Sequence, residues 1–183
     1  MKRLVLAFSL FFVTTLAVQA QRSAIDSLFA HYAGQTMQNT IDSKMLARTG
    51  PAYKKAAKEA DSTELQELKQ VMELLGRVKE IRTLSMVPGM GGAPDMYSGF
   101  DALFGELKEN CGKAAKDGGY KLVSESDKMP FIHIWYAGAQ GDIPAAFLFK
   151  VEYSRYSQLI CSVWGDLNEQ DALLLQQTLA PGQ

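Results

Sequence analysis

Two histidines, His31 and His133, and two cysteines, Cys111 and Cys161, are the obvious candidates for acid–base, nucleophilic or metal chemistry in this chain of 183 residues. Their spacing limits what they can do. The sequence holds no His-x-x-x-His, His-Glu-x-x-His or Cys-x-x-Cys, so it offers no tetrahedral metal spacing. It holds no Gly-x-Ser-x-Gly elbow either. The members of a hydrolytic triad need not be near one another in sequence, so a hydrolase with dispersed catalytic residues stays open. A strand histidine such as His133, set between Ile132 and Ile134, is more often a packed or surface residue. Gly89, Gly91 and Gly92 lack the Gly-Lys-Ser/Thr of a phosphate-binding loop. Met86, Met90 and Met96 flank those glycines, and thioethers bind Cu(I), but no His or Cys joins them. Methionines in such a place fill gaps against a core. No metal or cofactor is expected, and the chain reads as a non-enzyme rather than an enzyme.

The cysteines carry a structural expectation. Cys111 shares a helix face with Phe104 and Leu107, and Cys161 shares a strand face with Leu159 and Val163. Both are expected to point into the core between helix and sheet. In an oxidising compartment the pair is a candidate disulfide. Closing that loop of about 50 residues would stabilise by about 4 kcal/mol on the chain-entropy account. The alternative is two buried thiols too far apart to bond.

A second candidate site is aromatic. Strand alternation that turns Ile132, Ile134, Phe147, Phe149, Leu159 and Val163 toward helices turns Phe131, His133, Trp135, Leu148 and Trp164 to the opposite side. If exposed, that face marks a ligand or partner site. If further helices cover it, the tryptophans are core.

The elements that would hold these residues follow from periodicity. Ser23 and Asp26 read as a capping box for a helix with Ile25, Leu28, Phe29 and Tyr32 on one face, stopped at Gly34. Thr36–Ile41 reads as a short strand, and Ser43 as the cap of a short helix with Met45 and Leu46 that Gly50-Pro51 interrupts. Asp61 and Glu64 form another box, ahead of Leu65, Leu68, Met72 and Leu75 at core spacing, with Gly76 as the stop. A strand over Ile81–Val87 leads into the Pro88–Pro94 loop. Ser98 and Asp101 open a long helix carrying Phe100, Leu103, Phe104, Leu107 and Cys111, ended by Gly118-Gly119.

From Tyr120 the period becomes 2, over Tyr120–Ser124, Phe131–Ala137, Ala145–Tyr153 and Gln158–Trp164. Short links between these strands imply an antiparallel meander. Asn168 then caps a helix with Ala172, Leu175 and Leu179. Helices mostly first and strands mostly later predict an α+β fold, an antiparallel β-meander sheet packed by several helices.

The first 20 residues say where such a domain works. Lys2 and Arg3 precede an apolar run from Leu4 to Ala17, and Val18-Gln19-Ala20 supplies small residues at the −3 and −1 positions of a cleavage site. That is the pattern of a secretory signal peptide, too short for a spanning helix. Cleavage after Ala20 would leave residues 21–183 as a single domain in the periplasm or outside the cell. Removing Lys2 and Arg3 from the 19 basic residues leaves 17 against 20 acidic ones, a net charge of −3. Such a balance gives no footprint for nucleic acid or an anionic membrane. No later run is long enough to span a bilayer.

Three stretches carry a family resemblance. They are Ile25-Asp26-Ser27-Leu28-Phe29 with Tyr32, the run from Glu67-Leu68-Lys69 through Ile81-Arg82-Thr83-Leu84, and Val163-Trp164-Gly165-Asp166-Leu167. Together they resemble the uncharacterised family called domain of unknown function 4252, small secreted or envelope-anchored proteins of Gram-negative bacteria of the Bacteroidota type. The resemblance implies an envelope location and a shared fold, and no activity. Many members carry a lipoprotein cysteine; no Cys follows the apolar run here. The expected role is a non-enzymatic module binding an envelope protein or a small ligand, with a hydrolase or a structural envelope component as the alternatives.

Overall fold

The computed structural model describes residues 20–86, 96–154 and 157–179, with side chains described throughout these except at 96–100 and 177–179. Residues 1–19, on which the expected signal peptide falls, lie outside them, as do the glycines and Met90 of the 87–95 loop and the side chains of Met96, Ser98, Phe100 and Leu179.

Residues 20–31 form helix α1. Strand β1 (Met37–Asp42), the short helix α2 (Ser43–Ala47), α3 (Gly50–Glu59) and α4 (Ser62–Arg77) follow. Next come β2 (Val78–Met86), α5 (Met96–Asp117), β3 (Lys121–Ser126), β4 (Phe131–Ala137), β5 (Ala145–Ser154), β6 (Ser157–Gly165) and α6 (Asp171–Leu179). The strands form one six-stranded sheet in the order β1-β2-β6-β5-β4-β3. Every neighbouring pair in it is antiparallel. The expected meander is its β3–β6 half. The fold is α+β, with helices packed against the sheet.

Two apolar layers cover the sheet, one on each face. On the first, Ile25, Leu28, Phe29 and Tyr32 of the α1 segment and Leu107, Cys111 and Ala115 of α5 pack on Leu84, Leu148, Ile160 and Trp164. On the second, Leu74 of α4 and Ala172 of α6 pack with Ile132, Ile134, Phe147, Phe149, Val151 and Val163. Both sides of β5 are therefore buried from Ala145 to Val151, which is why its apolar residues form a run and not an alternation.

Polar clamps fix the helices. Arg22 Nη2 donates to Glu80 Oε1 at 2.8 Å, and its guanidinium lies 4.7 Å from the Trp164 ring centroid. Arg82 pairs with Asp26 and stacks 4.4 Å from the Phe29 centroid. Arg77, the last residue of α4, donates to both carboxylate oxygens of Asp171 at 2.9 and 2.6 Å. Gly165 runs against that same corner. A Cβ there would stand 2.3 Å from the Arg77 carbonyl oxygen and 2.9 Å from Val78 Cα.

Several local expectations are corrected. Residue 20 is already helical, so Ser23 sits inside α1 and Asp26 serves Arg82 rather than a capping box. Asp42, not Ser43, caps α2, accepting from Met45 N at 2.8 Å. Gly50-Pro51 opens a helix rather than ending one, because a proline in the first turn lacks only an N–H that has no helical partner there. The Asp61–Glu64 capping box forms as expected. Its helix runs through Gly76 to Arg77, and β2 begins at Val78, ahead of Ile81. Gly119 takes φ +72° after α5, a conformation that glycine adopts at little cost.

Candidate functional site

The aromatic face is where alternation places it, but helices cover most of it. Trp164 is 1% exposed and Leu148 is fully buried, both in the layer beneath α1 and α5. The Trp164 indole N–H finds its partner inside, donating to Ser162 Oγ at 3.3 Å. These two residues are core, a correction to their reading as binding residues. The cause is tertiary: α1 and α5 both pack on the face that strand period alone leaves unassigned.

The other three candidates remain near the surface at the β4 end of that face. Phe131 is exposed, and His133 and Trp135 are half-buried. The His133 and Trp135 rings stack, with centroids 5.6 Å apart and planes at 19°. Cross-strand register puts His133 between Glu125 of β3 and Lys150 of β5, and Phe131 opposite Glu152. Glu152 is in turn opposite Gln158 of β6.

Charge is buried in this corner. Lys150 is 3% exposed and Gln158 2%. Lys150 Nζ lies 2.8 Å from Glu152 Oε1, and Lys108 Nζ reaches the same oxygen from α5 at 3.5 Å. Burial would raise the Glu152 carboxyl, but Lys150 and Lys108 outweigh it and hold it below its ordinary value. Burial first, and then Lys150, pushes the His133 imidazole below its ordinary value. The ring is therefore neutral near pH 7. His133 Nδ1 and Gln158 Oε1 are both buried and have no hydrogen-bond partner.

Lys108, Lys150, Glu152 and Gln158 were not singled out from the sequence. A signal was present: Ala146, Leu148, Lys150 and Glu152 fall on one side of β5, so two charges interrupt an apolar face. The matching apolar run on the strand's other side hides that pattern.

The candidate bond between the cysteines is not formed, and the alternative of two separate thiols holds. Cys111 lies in the layer beneath α1 and α5, whereas Cys161 packs in the layer on the opposite side of the sheet. Both are free thiols, and burial pushes each up to about 12. The two shared the description "between helix and sheet", but the sheet is helix-covered on both faces and separates them.

His31 lies elsewhere, on the rim of a groove of about 470 Å³ between α1 and α5 that Ser27, Leu28, Asn110 and Lys113 also line. Its Nε2 is 3.1 Å from Glu106 Oε1, and Asn110 Nδ2 donates to the Tyr32 hydroxyl at 2.8 Å. The two histidines thus sit in separate places. Among the described residues no group of three or more His, Cys, Asp and Glu is arranged to hold a metal ion, and no helix is long and apolar enough to cross a membrane. The neighbours that register gives His133, Glu125 and Lys150, supply neither a hydroxyl nor a thiol for an acyl-transfer triad.

The fold and this corner define a class no narrower than an α+β domain with a buried polar cluster beside an aromatic edge. No family model matches the chain, and no curated protein matches it.

Proposed function

We propose that this chain is an exported, non-enzymatic binding module of the cell envelope, akin to the proteins of domain of unknown function 4252, and that its ligand or partner docks at the Phe131–His133–Trp135 edge. The export reading is supported by the charged start, short apolar run and Val18-x-Ala20 end of the sequence. The kinship is supported by the three stretches that carry the resemblance.

One observation carries the binding reading. His133 Nδ1 is buried without a partner on the ring stacked against Trp135, and Gln158 Oε1 is buried without one on β6, across Glu152 from the exposed Phe131. Buried polar atoms normally find a partner, and an unused one beside an aromatic edge suits a ligand that supplies it. The wild-type chain, immobilised and exposed to an envelope extract, is expected to retain a component that Trp135→Ala and Gln158→Leu both lose while keeping a folded melting profile. Equal retention by wild type and both variants rejects this edge as the site.

A further inference from the structure

We propose that α2 and α3 form a docking face for an anionic lipid bilayer. Lys44, Arg48, Lys54, Lys55 and Lys58 engage its phosphates, and an apolar groove against α4 takes an acyl chain. The face is separate from the Phe131–Trp135 edge. It packs by α2 on β1 and β2, at the other end of the sheet from β4 and β3. It rests neither on that edge nor on removal of the first 20 residues.

Charge is the first observation. The whole chain is nearly balanced, but residues 43–58 carry those five basic side chains and no acidic one. All five are exposed, and among the described residues none is in an ion pair. Arg22, Arg77, Arg82, Lys108 and Lys150, by contrast, each reach a carboxylate. The carboxylates that bracket the segment are held by backbone: Asp42 accepts from Met45 N, and Asp61 and Glu64 form the capping box of α4. Glu59 and Glu73 are exposed close by in sequence and offset part of the charge. Lys44 and Arg48 stand four residues apart, as do Lys54 and Lys58, so like charges repel along each helix. A surface that presents many phosphates at once relieves that repulsion.

The groove is the second observation. It holds about 240 Å³ and is walled by Leu46, Tyr53, Met72, Leu75 and Val78. That is below the roughly 300–1,000 Å³ of a pocket for a compact small molecule, and it suits a narrow apolar chain. Lys44, Arg48 and Lys54 are the chain neighbours of Ser43, Ala47 and Tyr53, which line it, so cations stand at its rim. Met45, 48% exposed, lies beside Lys44. An apolar slot with a cationic rim matches an amphiphile with an anionic head. An acidic peptide would match the charges and not the slot.

The test is co-sedimentation of the full chain with vesicles of phosphatidylcholine alone and of phosphatidylcholine mixed with an equal part of phosphatidylglycerol. Stronger binding to the mixed vesicles is expected at low salt, with the difference lost as salt is raised. A retained apolar start would bind both kinds alike, so the difference reads the face. Each basic residue near an anionic surface strengthens binding roughly fivefold, so Lys54→Gln with Lys58→Gln should weaken it roughly 25-fold. Both side chains are exposed, and the melting temperature should hold. Gly76 lines the groove, and an added Cβ there meets nothing within 4 Å. Gly76→Leu fills the groove and should weaken binding with every charge kept. Equal binding to both kinds of vesicle overturns the proposal, and so does a double variant or a Gly76→Leu protein that binds as wild type does. Poly-glutamate held more tightly than the mixed vesicles overturns it as well, and marks an acidic protein as the partner.

Discussion

Lys150 and Glu152 face the same helix-covered side of β5 and touch at 2.8 Å, with the lysine side chain 4% exposed and the carboxylate 20%. Removing one partner of a buried pair strands the other charge, so Glu152→Gln is expected to lower stability by about 3–5 kcal/mol. Lys108 is more than half exposed, and Lys108→Ala should lower it by no more than about 1 kcal/mol. Replacing the pair together, as Lys150→Met with Glu152→Leu, should recover most of the loss. Urea melts of the three variants give the ordering; a Glu152→Gln protein as stable as wild type contradicts it.

The aromatic face separates into a buried half and an open half. Trp164→Ala opens a cavity beneath α1 and α5 and is expected to cost about 3–5 kcal/mol. Trp135→Ala, half-buried at the edge, should lose distinctly less. Thermal melts compare them directly, and equal losses would mean that Trp135 is as much core as Trp164.

Gly165 has no room for a methyl group. The atoms it would meet, the Arg77 carbonyl oxygen and Val78 Cα, belong to backbone at the α4–β2 junction and cannot swing aside. Gly165→Ala is expected to destabilise by about 1–3 kcal/mol as that junction shifts. Gly105→Ala on α5 meets nothing within 4 Å, and its melt serves as the control that should not fall.

Acid should weaken the fold in two stages. His133 binds its proton less readily when folded than when unfolded, because burial and Lys150 disfavour the cation. Its contribution is therefore complete above the ordinary imidazole range and is lost as pH falls through that range toward the lowered folded value. At lower pH Asp171 follows. Burial would raise its carboxyl, but the Arg77 bond and the Asn168 amide more than offset that and keep it below its ordinary value. Its contribution is present above the ordinary carboxylate range and is lost as pH falls through the folded value. Denaturant melts across pH should show both stages, and His133→Gln should remove the first alone.

The thiols should be silent in the folded protein. Cys111 is buried and Cys161 half-buried; both are held well above the range in which a thiolate forms at pH 7, and they lie on opposite faces of the sheet. A thiol-specific reagent is expected to label neither until denaturant is added, and a reductant should leave the melting temperature unchanged. A drop on reduction would reveal a bond between them.

How much of this was legible depended on whether the cause was local. Alternation alone put Phe131, His133, Trp135, Leu148 and Trp164 on one side of the sheet, because side chains on a strand repeat every two residues. Hydrogen bonding within three residues made the Asp61–Glu64 box readable. Boundaries at Gly50-Pro51 and Gly76 were misjudged because both residues are compatible with a helix interior or start, and only neighbouring packing chooses.

By itself the sequence determined the α+β class, the order of most elements and the strand faces, since those follow from period, capping and turn chemistry. Tertiary structure decided what no local rule contains. It set β2 beside β6, laid α1 and α5 over Leu148 and Trp164, and left Phe131 and Trp135 at the margin. It also put the sheet between Cys111 and Cys161, set Lys150 beside His133, and brought Lys108, Lys150 and Gln158 to Glu152. The physical reason is that burial is shared among segments far apart in the chain. A face is core or surface according to which distant helix covers it, and a charge is isolated or paired according to which strand lies next to it.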